Sequence, residues 1–490
     1  MKSKKVVIVG AGYSGLATAS LLAREGIDTT VIEKNDGCGG RARVYREKGF
    51  VFDMGPSWYL MPPAFDHLFE RLGHPTENLY KLIHLDPSYR VFHPEGQFDI
   101  RPNLEDNAET FERLEPDGYR KVLRYLKRAE RQYEMSVGHF LYREYTKITD
   151  LLSPGFLLKG LRLGLFQSVE QLARKSFQSD LLRKIMGYTM VFIGGSPDRT
   201  PGMYSLMSYI DLKQNVWYPD GGMNVPAAAL EQIARDAGAG FVYDTAVREI
   251  QAEGGTVRGV KTSTGGVEAD LVVSNADYHH TENDLLIPAL RSYPDAYWRK
   301  RTVSPSAFII YMGLDMKLDG LLHHNLYFHD NWKEHFDTIF ETPSWPERFS
   351  YYVCCPSRTD SSVAPAGHEN LFFLVPVAAG LEDDDETREA FYERVLDHFE
   401  GLIGESIRSH IVLKRVFSHR DFIQTTNAWK GSAFGLAHTL FQTAVFRPAH
   451  ASKKVKNLYF TGQYTHPGVG VPMTLISAEV VADRIIREHG

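Results

Sequence analysis

The sequence predicts an α/β protein that combines a mostly parallel sheet, a mixed sheet and a helical subdomain. Three observations predict this class. The β-branched run Lys5–Val9 lacks polar alternation, as expected for a strand that is buried on both faces. Units of strand, glycine-rich turn and helix occur at the start of the chain, near Gly221 and near Gly468. Strand-like runs separated by Pro, Gly and Asp lie between residues 306 and 379.

The first unit has the spacing of a dinucleotide-binding turn. Glycines stand at positions 10, 12 and 15, an apolar-periodic helix follows, and a second strand ends at Glu33. Gly10 permits the tight turn, Gly12 lets backbone amides approach a pyrophosphate, and Gly15 lets the helix pack closely on the strand. Glu33 is placed to accept hydrogen bonds from ribose hydroxyls, with the phosphates at the helix N-terminus. The N-terminal domain is therefore predicted to be Rossmann-like.

A second glycine cluster follows Glu33 and distinguishes between a nicotinamide cofactor and FAD. Gly39, Gly40 and Arg41 stand where a nicotinamide enzyme continues into another crossover helix. FAD extends past the first nucleotide unit, so these glycines would let the backbone approach that extension. Arg41 and Arg43 would supply donors to phosphate or flavin oxygens. No second Gly-x-Gly-x-x-Gly and no Cys-x-x-x-x-Cys pair occurs in the sequence, which favours FAD and disfavours disulfide reductases.

Two later segments are predicted to return to the first sheet. Gly221 and Gly222 open an apolar helix, and a strand ending near Val247 follows it. Near the C-terminal end, a strand to Thr461 leads through a glycine-rich turn into a helix from about Pro472. Backbone amides near Gly470–Met473 are expected to point at the flavin or its pyrophosphate.

These units imply a discontinuous domain organisation. The predicted FAD-binding domain comprises residues 1–75, 215–290 and 415–490; the substrate domain, residues 76–135 and 291–414; and the helical subdomain, residues 136–214. Aromatic residues in the central strands line an apolar tunnel or form ordinary core, and the sequence leaves both readings open. They are Phe308, Tyr311, Tyr351, Tyr352, Phe372 and Phe373.

The stretch Gly155–Phe177 is largely apolar and contains a few basic residues. Lys159 and Arg162 interrupt a run rich in Leu and Phe. Such a pattern is typical of a helix that dips into a lipid interface, and equally of a buried helix that caps the substrate domain.

Composition excludes several classes of protein. The chain has 490 residues and a formal net charge of −6, which gives no basic footprint for nucleic acid. Its three cysteines form neither a disulfide framework nor a zinc-site spacing, so no metal site is predicted and a cytoplasmic setting is expected. No stretch reaches the roughly 18 apolar residues of a membrane span, so the prediction is a soluble or peripheral protein. The oligomeric state is left open.

Four segments together resemble a known family, the bacterial and fungal-type phytoene desaturases. They read VVIVGAGYSGLATASLLAREG, CGGRARVYREKGFVFDMGPSW, VWYPDGGMNVPAAALEQIARDAG and NLYFTGQYTHPGVGVPMTLISAE. These desaturases are FAD-dependent carotenoid enzymes within the amine-oxidase-like (GR2-type) flavoprotein fold. The resemblance places FAD contacts on Gly10, Gly12, Gly15, Glu33, Gly40 and Arg41, a backbone contact to adenine on Val247, and flavin contacts on Gly462 and Val471–Met473. Related flavoproteins often carry an acid where this chain has Gln463.

The resemblance also implies the chemistry. Desaturation of a long polyene precursor transfers a hydride to flavin and leaves an allylic cation that loses a proton. Asp150 is a candidate to stabilise the cation or take the proton, and His466 is a candidate to orient the cofactor. A membrane-derived C40 substrate such as phytoene, converted towards lycopene, would explain the apolar stretch through peripheral membrane association. The alternatives are a hydroxycarotenoid desaturase, a polyene cis–trans isomerase, or a non-catalytic prenyl-lipid carrier.

Overall fold

The structure, a computed structural model, describes residues 4–144 and 164–489. Its strands are β1 (Lys5–Val9), β2 (Asp28–Ile32), β3 (Val44–Glu47), β4 (Phe50–Asp53), β5 (Leu82–His84), β6 (Tyr89–His93), β7 (Gly96–Ile100), β8 (Trp217–Pro219), β9 (Gly240–Val242), β10 (Val247–Glu253), β11 (Thr256–Thr262), β12 (Gly266–Glu268), β13 (Leu271–Ser274), β14 (Ser306–Leu314), β15 (His324–Tyr327), β16 (Tyr351–Cys354), β17 (Glu369–Val377), β18 (Ile411–Phe417) and β19 (Leu458–Phe460).

The α-helices of these described residues alternate with the strands in the first domain and cluster after β7. They are α1 (Tyr13–Arg24), α2 (Pro62–Arg71), α3 (Ala108–Leu114), α4 (Gly118–Ser136), α5 (Val169–Ser176), α6 (Asp180–Gly187), α7 (Leu206–Lys213), α8 (Val225–Asp236), α9 (Tyr278–Asn283), α10 (Asp295–Arg299), α11 (Trp332–Phe340), α12 (Asp385–Ile403), α13 (His419–Thr426) and α14 (Val471–His489).

A parallel sheet ordered β19-β13-β1-β2-β9 forms the centre of the first domain. Both faces of β1 are buried, which explains its unbroken run of Val and Ile. Val6 and Ile8 pack with α1, α8 and α14, whereas Val7 and Val9 pack towards the antiparallel sheet β10-β11-β12. The Rossmann-like fold class expected from the sequence is confirmed.

A mixed sheet ordered β18-β14-β17-β16-β15-β6-β7 forms the second layer, with β15 and β6 parallel and the other pairs antiparallel. Alternate residues of β14 face opposite sides. Phe308 and Ile310 pack in a core with Phe391 of α12, and Ile309 belongs to the core on the other side. This sheet therefore separates a helix-covered face from a face directed towards the first domain.

Most predicted elements are found, and one detail of the prediction is wrong. The strands expected between residues 306 and 379 correspond to β14–β17. The strand expected to end near Val247 ends at Val242, and Val247 instead begins β10, because a turn through Asp244 (φ +50°) separates them. The predicted domain boundary at 414 falls inside β18, which runs to Phe417. The three-part domain division itself stays a prediction.

The predicted helical subdomain is helical where the structure describes it. Helices α5, α6 and α7 lie within residues 164–214, and α5 begins at a capping box in which Ser168 and Gln171 bond reciprocally. Asp150 and residues 155–163 of the apolar stretch Gly155–Phe177 lie outside the described residues. Among the helices that the structure does describe, none is long and apolar enough to cross a bilayer.

Candidate active site

A cavity of about 560 Å³ is lined by residues of both the parallel sheet and the mixed sheet. One end is formed by the turn after β1, by Glu33 and by Thr245–Val247; the other end is formed by aromatic side chains of the mixed sheet and α11. A volume of this order is typical of cofactor and small-molecule sites. The cavity lining includes every cofactor-binding residue predicted from the sequence except Gly15 and Arg43.

The glycine turn after β1 has the geometry that its spacing predicts. Gly10 has a φ of +99°, a conformation that favours glycine. A Cβ on Gly15 would lie 2.2 Å from the carbonyl oxygen of Gly10, so α1 packs directly on the turn. Gly15 thus acts through helix packing, which explains its absence from the cavity wall.

Glu33 holds this turn in place. Its carboxylate accepts hydrogen bonds from the backbone N–H of Ala11 at 2.8 Å and of Asn35 at 2.9 Å. The side chain is buried, and it also lines the cavity. An oriented carboxylate with lone pairs directed at the cavity is suited to accept the ribose hydroxyls of a dinucleotide.

The second glycine cluster packs against the first. The N–H of Gly39 donates to the carbonyl of Ala11 at 2.8 Å, and a Cβ on Gly40 would lie 3.1 Å from the Cα of Gly12. Gly39 has a φ of +104° and Gly40 one of +59°. The two turns therefore form one continuous backbone surface along the cavity.

Arg41 supplies the main test of whether the cavity fits FAD. Its guanidinium lies in the cavity wall, and its Nε and Nη2 are buried without a hydrogen-bond partner. Burial lowers the pKa of Arg41, while Asp277 and Tyr464 favour its charged form. Unpaired buried donors on a cation are costly, and a phosphate or flavin oxygen would satisfy them. The residues present fit the cofactor.

The C-terminal turn closes the cavity from the opposite side. Gly462 has a φ of +106°, and its N–H donates to Ser477 Oγ at 3.0 Å. The next side chain, Gln463, carries a buried Nε2 without a partner. Helix α14 begins at Val471, so Val471, Pro472 and Met473 present a helix N-terminus to the cavity. That terminus favours anionic groups and the electron-rich edge of a flavin.

Asn275 joins the two glycine turns and was missed by the sequence reasoning. Its Nδ2 donates to the carbonyl of Gly10 at 3.3 Å, and its side-chain atoms lie 2.9–3.0 Å from the positions that Cβ atoms on Gly12, Gly15 and Gly462 would take. The available signal was the polar turn after β13, because β13 pairs in parallel with β1 and both strands end at the same sheet edge.

Arg43 does not reach the cavity, contrary to expectation. Its guanidinium forms an ion pair with Asp36 at 3.6 Å and is absent from the lining. The residue precedes β3 with an extended backbone, which turns its side chain away from Arg41.

Arg41→Ala should weaken FAD binding by about 10- to 100-fold, the value of a hydrogen bond to a charged group. Arg43→Ala is the matched control, since its ion pair lies outside the cavity, and it should leave the affinity within about twofold. Titration of the apoprotein with FAD, followed by flavin fluorescence, measures both constants. Equal losses in the two variants would contradict the assignment of Arg41.

His466 lies in the cavity wall, but its environment disfavours proton transfer. Its Nε2 is 3.0 Å from the carbonyl oxygen of Phe140 and 3.2 Å from that of Leu141, so this nitrogen carries the proton and donates. Burial lowers the pKa of His466 to about 3, and His450 and Arg447 act in the same direction. A neutral imidazole with this bonding holds the end of the α4 segment against the C-terminal turn, which favours the positioning role.

His466 should make the protein less stable in mild acid. Its pKa falls from 6.5 in the unfolded chain to about 3 in the fold, so its contribution is complete above pH 6.5 and is lost as the pH falls towards 3. Between pH 7 and pH 5 this loss is about 2 kcal/mol. Urea unfolding at both pH values measures the free energy of unfolding. Its change between pH 7 and pH 5 should be smaller by that amount in His466→Gln than in the wild type. Identical pH dependence in the two proteins would refute the assignment.

The aromatic residues predicted to line a tunnel are divided between cavity and core. Tyr351 and Tyr352 line the cavity. Phe308, Tyr311, Phe372 and Phe373 are core side chains that do not line the cavity. Phe308 and Phe373 face the helix-covered side of the sheet, whereas Tyr311 and Phe372 pack in the core on the same side as the cavity. The apolar end of the cavity is built largely from other residues, namely Trp58, Tyr188, Phe192, Met207, Leu326, Trp332 and Phe336.

Three features converge on the apolar cavity: a nucleotide-binding turn, a buried arginine and a helix N-terminus. Together they define an FAD-dependent oxidoreductase. The comparison with known families agrees: the chain belongs to the flavin containing amine oxidoreductases, whose pattern matches residues 13–486. The cofactor predicted from the second glycine cluster is confirmed as FAD.

The similarity to known proteins extends over the whole chain. A carotenoid 3,4-desaturase of Haloarcula japonica is 42% identical over 100% of this chain and 99% of its own length. A zeta-carotene-forming phytoene desaturase of Myxococcus xanthus is 35% identical over 99% of this chain and 94% of its own. A solved putative protoporphyrinogen oxidase of Exiguobacterium sp. shares the fold with a TM-score of 0.65, at 17% identity, over 100% of both chains.

Proposed function

We propose that this protein is an FAD-dependent carotenoid desaturase that oxidises a C40 polyene precursor, phytoene towards lycopene. The observation that carries the proposal is the continuity of the cavity. The same space that receives Arg41 and the N-terminus of α14 extends to Trp332 and Phe336. Full-length similarity to carotenoid and phytoene desaturases supports this substrate class.

When bound, FAD supplies the hydride acceptor for removing two hydrogens from a carbon pair. The chain's own residues bind and orient the substrate and exclude water. Trp58, Tyr188 and Phe192 form a cluster with ring centroids 5.3–6.2 Å apart at the cavity wall. Aromatic faces of this kind pack against a conjugated chain and carry a negative quadrupole that favours a delocalised cation. Asp150, which lies outside the described residues, stays a candidate to stabilise the cation or take the proton.

A desaturase that acts on an already oxidised carotenoid is the second candidate. The relative at 42% identity bears the name carotenoid 3,4-desaturase. This name favours a substrate that is already a carotenoid over an early precursor such as phytoene. A polyene isomerase would use the same cavity. A non-catalytic carrier is disfavoured, because the carrier would have no use for Arg41 with its unpaired donors or for the Glu33-bound turn.

Product identification tests these candidates. Purified protein with FAD is incubated with liposomes that contain phytoene, or in a parallel arm lycopene or a hydroxycarotenoid, and the pigments are separated and identified. Conversion of phytoene to products with more double bonds supports the main proposal. Conversion only of the later carotenoids supports the second candidate, a fixed double-bond count indicates an isomerase, and no conversion with no flavin spectrum indicates a carrier.

We further propose that the protein works in the cytoplasm, attached peripherally to the membrane that holds its substrate. Exposed aromatic residues lie beside lining residues of the cavity on two separate segments. Phe166 is 76% exposed next to Leu165 in the lining, and Phe441 is 69% exposed next to Leu440 in the lining. Apolar side chains at a cavity entrance suit insertion into a lipid interface, through which a polyene would enter.

Aspartate at these two positions should release the protein from lipid. Phe166→Asp/Phe441→Asp is expected to reduce liposome binding at least about 10-fold, because two buried aromatic contacts are lost and charge is added. Ile287→Asp is the matched control, an apolar residue 56% exposed on the nucleotide-binding side. Flotation with liposomes measures binding. Equal binding by all three proteins would refute the attachment surface.

A further inference from the structure

Two histidines and a cysteine meet in the interior behind the cavity wall. His324 begins β15 and lies directly opposite Cys354 in the neighbouring strand β16, and His323 precedes His324. One potential ligand atom from each of the three side chains lies within 4.8 Å of the others. All three residues are buried. None of them contacts the predicted cofactor turns, and the desaturation chemistry does not use them.

The hydrogen bonds of the two histidines leave the same ring nitrogen unpaired. His323 Nδ1 lies 2.9 Å from the hydroxyl of Thr359, and His324 Nδ1 lies 2.7 Å from the hydroxyl of Tyr352. The Nε2 atoms of both residues are buried without a partner. This is the arrangement of metal-binding histidines, in which one nitrogen is oriented by an outer hydrogen bond and the other is directed at the ion. Leaving both atoms unpaired is otherwise costly.

Two carboxyl groups and room for a further small ligand lie near the cluster. Asp53, Cys354 and Asn370 line a void of about 10 Å³, close to the room that one water needs. Asn370 Oδ1 is also buried without a partner. Asp360 binds the hydroxyl of Tyr218 at 3.0 Å, and the Tyr218 ring lies 4.6 Å from that of His323.

We propose that His323, His324 and Cys354 bind a borderline-soft divalent cation, Zn²⁺, with a water in the adjoining void as the fourth ligand. Two imidazoles and one thiolate are the donors that zinc prefers in tetrahedral sites. Ligand atoms in such a site are separated by about 3.5 Å, so binding draws the three side chains slightly closer. The Cys354 S–H bond breaks, sulfur keeps the electron pair and binds the ion, and the proton leaves to solvent.

The ion would fix one wall of the cavity. The His324 ring stacks on Trp58 with centroids 4.2 Å apart and planes 7° apart, and the Tyr352 hydroxyl continues to Ser57 Oγ at 2.9 Å. Trp58, Tyr352 and Ser57 all line the cavity. The metal is therefore structural, and the proposal is independent of which carotenoid the enzyme oxidises.

Metal analysis of the flavin-loaded protein tests the site. The protein is dialysed against a chelator, reloaded with Zn²⁺ alone, desalted and analysed for bound zinc. We expect one equivalent per chain in the wild type and at least about 100-fold weaker binding in Cys354→Ser and in His323→Gln. The matched control is Cys355→Ser, whose Sγ lies 3.4 Å from Glu369 Oε2 in the core on the other side of the sheet. It should bind zinc as the wild type does.

X-ray absorption of the zinc-loaded wild type provides a test that needs no variant. One sulfur at about 2.3 Å and nitrogen or oxygen neighbours at about 2.0–2.1 Å are expected. A shell without sulfur, no retained zinc in the wild type, or equal loss in Cys354→Ser and Cys355→Ser would overturn the proposal. Retention of zinc by Cys354→Ser would identify an adventitious surface ion and also overturn it.

Discussion

Gly15→Ala should abolish FAD binding and destabilise the fold. A Cβ at this position would lie 2.2 Å from the carbonyl oxygen of Gly10 and 2.9 Å from Asn275 Nδ2, and β1, which leads into Gly10, is paired with a strand on each side. Helix α1 must shift away from the sheet, which removes its N-terminus from the pyrophosphate position. We expect FAD affinity to fall at least 100-fold and the free energy of unfolding to fall by about 3 kcal/mol, as overpacking typically costs.

Gly37→Ala provides the comparison, because a Cβ on Gly37 meets nothing within 4 Å in the loop between the two glycine turns. This variant should purify with the flavin spectrum of the wild type and unfold at the same urea concentration. Flavin content and urea midpoints are measured side by side. If Gly15→Ala retained full flavin occupancy, the packing role assigned to Gly15 would be wrong.

The second large effect is expected from a charge placed in the apolar part of the cavity. The Phe192 ring lines this space, 5.3 Å from Trp58 and 5.6 Å from Tyr188. Phe192→Asp would oblige a polyene to displace water from a carboxylate that it cannot hydrogen-bond, which costs several kcal/mol. We expect kcat/KM for the carotenoid to fall at least about 100-fold while the flavin spectrum is retained.

Phe192→Leu separates loss of the ring from gain of a charge. It keeps the position apolar and should reduce kcat/KM by less than about 10-fold. Turnover is measured in liposomes, with flavin content determined on the same samples. Unchanged turnover in Phe192→Asp would place the substrate path elsewhere, whereas equal damage by both substitutions would show that the ring itself is required.

Much of the nucleotide-binding half could be predicted from local sequence. Strand β1, the turn through Gly15 and helix α1 are contiguous, so spacing alone specifies their geometry. The second glycine cluster could also be predicted, because a Cβ on Gly40 would lie 3.1 Å from the Gly12 Cα, tighter than an ordinary contact, and Gly40 has a φ of +59°. That Arg41 enters the cavity whereas Arg43 pairs with Asp36 depends on the turn through Gly39, which the spacing of the arginines does not reveal.

The apolar half depends on tertiary packing that the sequence does not display. Tyr352 lines the cavity and Phe372 belongs to the core, although both lie in strongly aromatic strands of one sheet. Helix α12 covers one face of that sheet, and it lies far along the chain from β14. The local sequence of the strands therefore does not show which of their faces is covered. The pairing of His324 with Cys354 is likewise a property of strand register. The pairs His323–His324 and Cys354–Cys355 are too far apart in the sequence for any spacing rule for metal ligands to relate them.

The central sheet has a consequence for how the protein is made. Strand β13 pairs with β1 on one side and with β19 on the other, and α14 follows β19 directly. A ribosome adding about 5–20 residues per second needs on the order of tens of seconds to make the chain between β13 and β19. The nascent polypeptide must keep the β13 edge unpaired for that time. Loading with FAD is therefore a late event in biogenesis, and slower translation, chaperones or ample flavin supply should raise the yield of the holoenzyme.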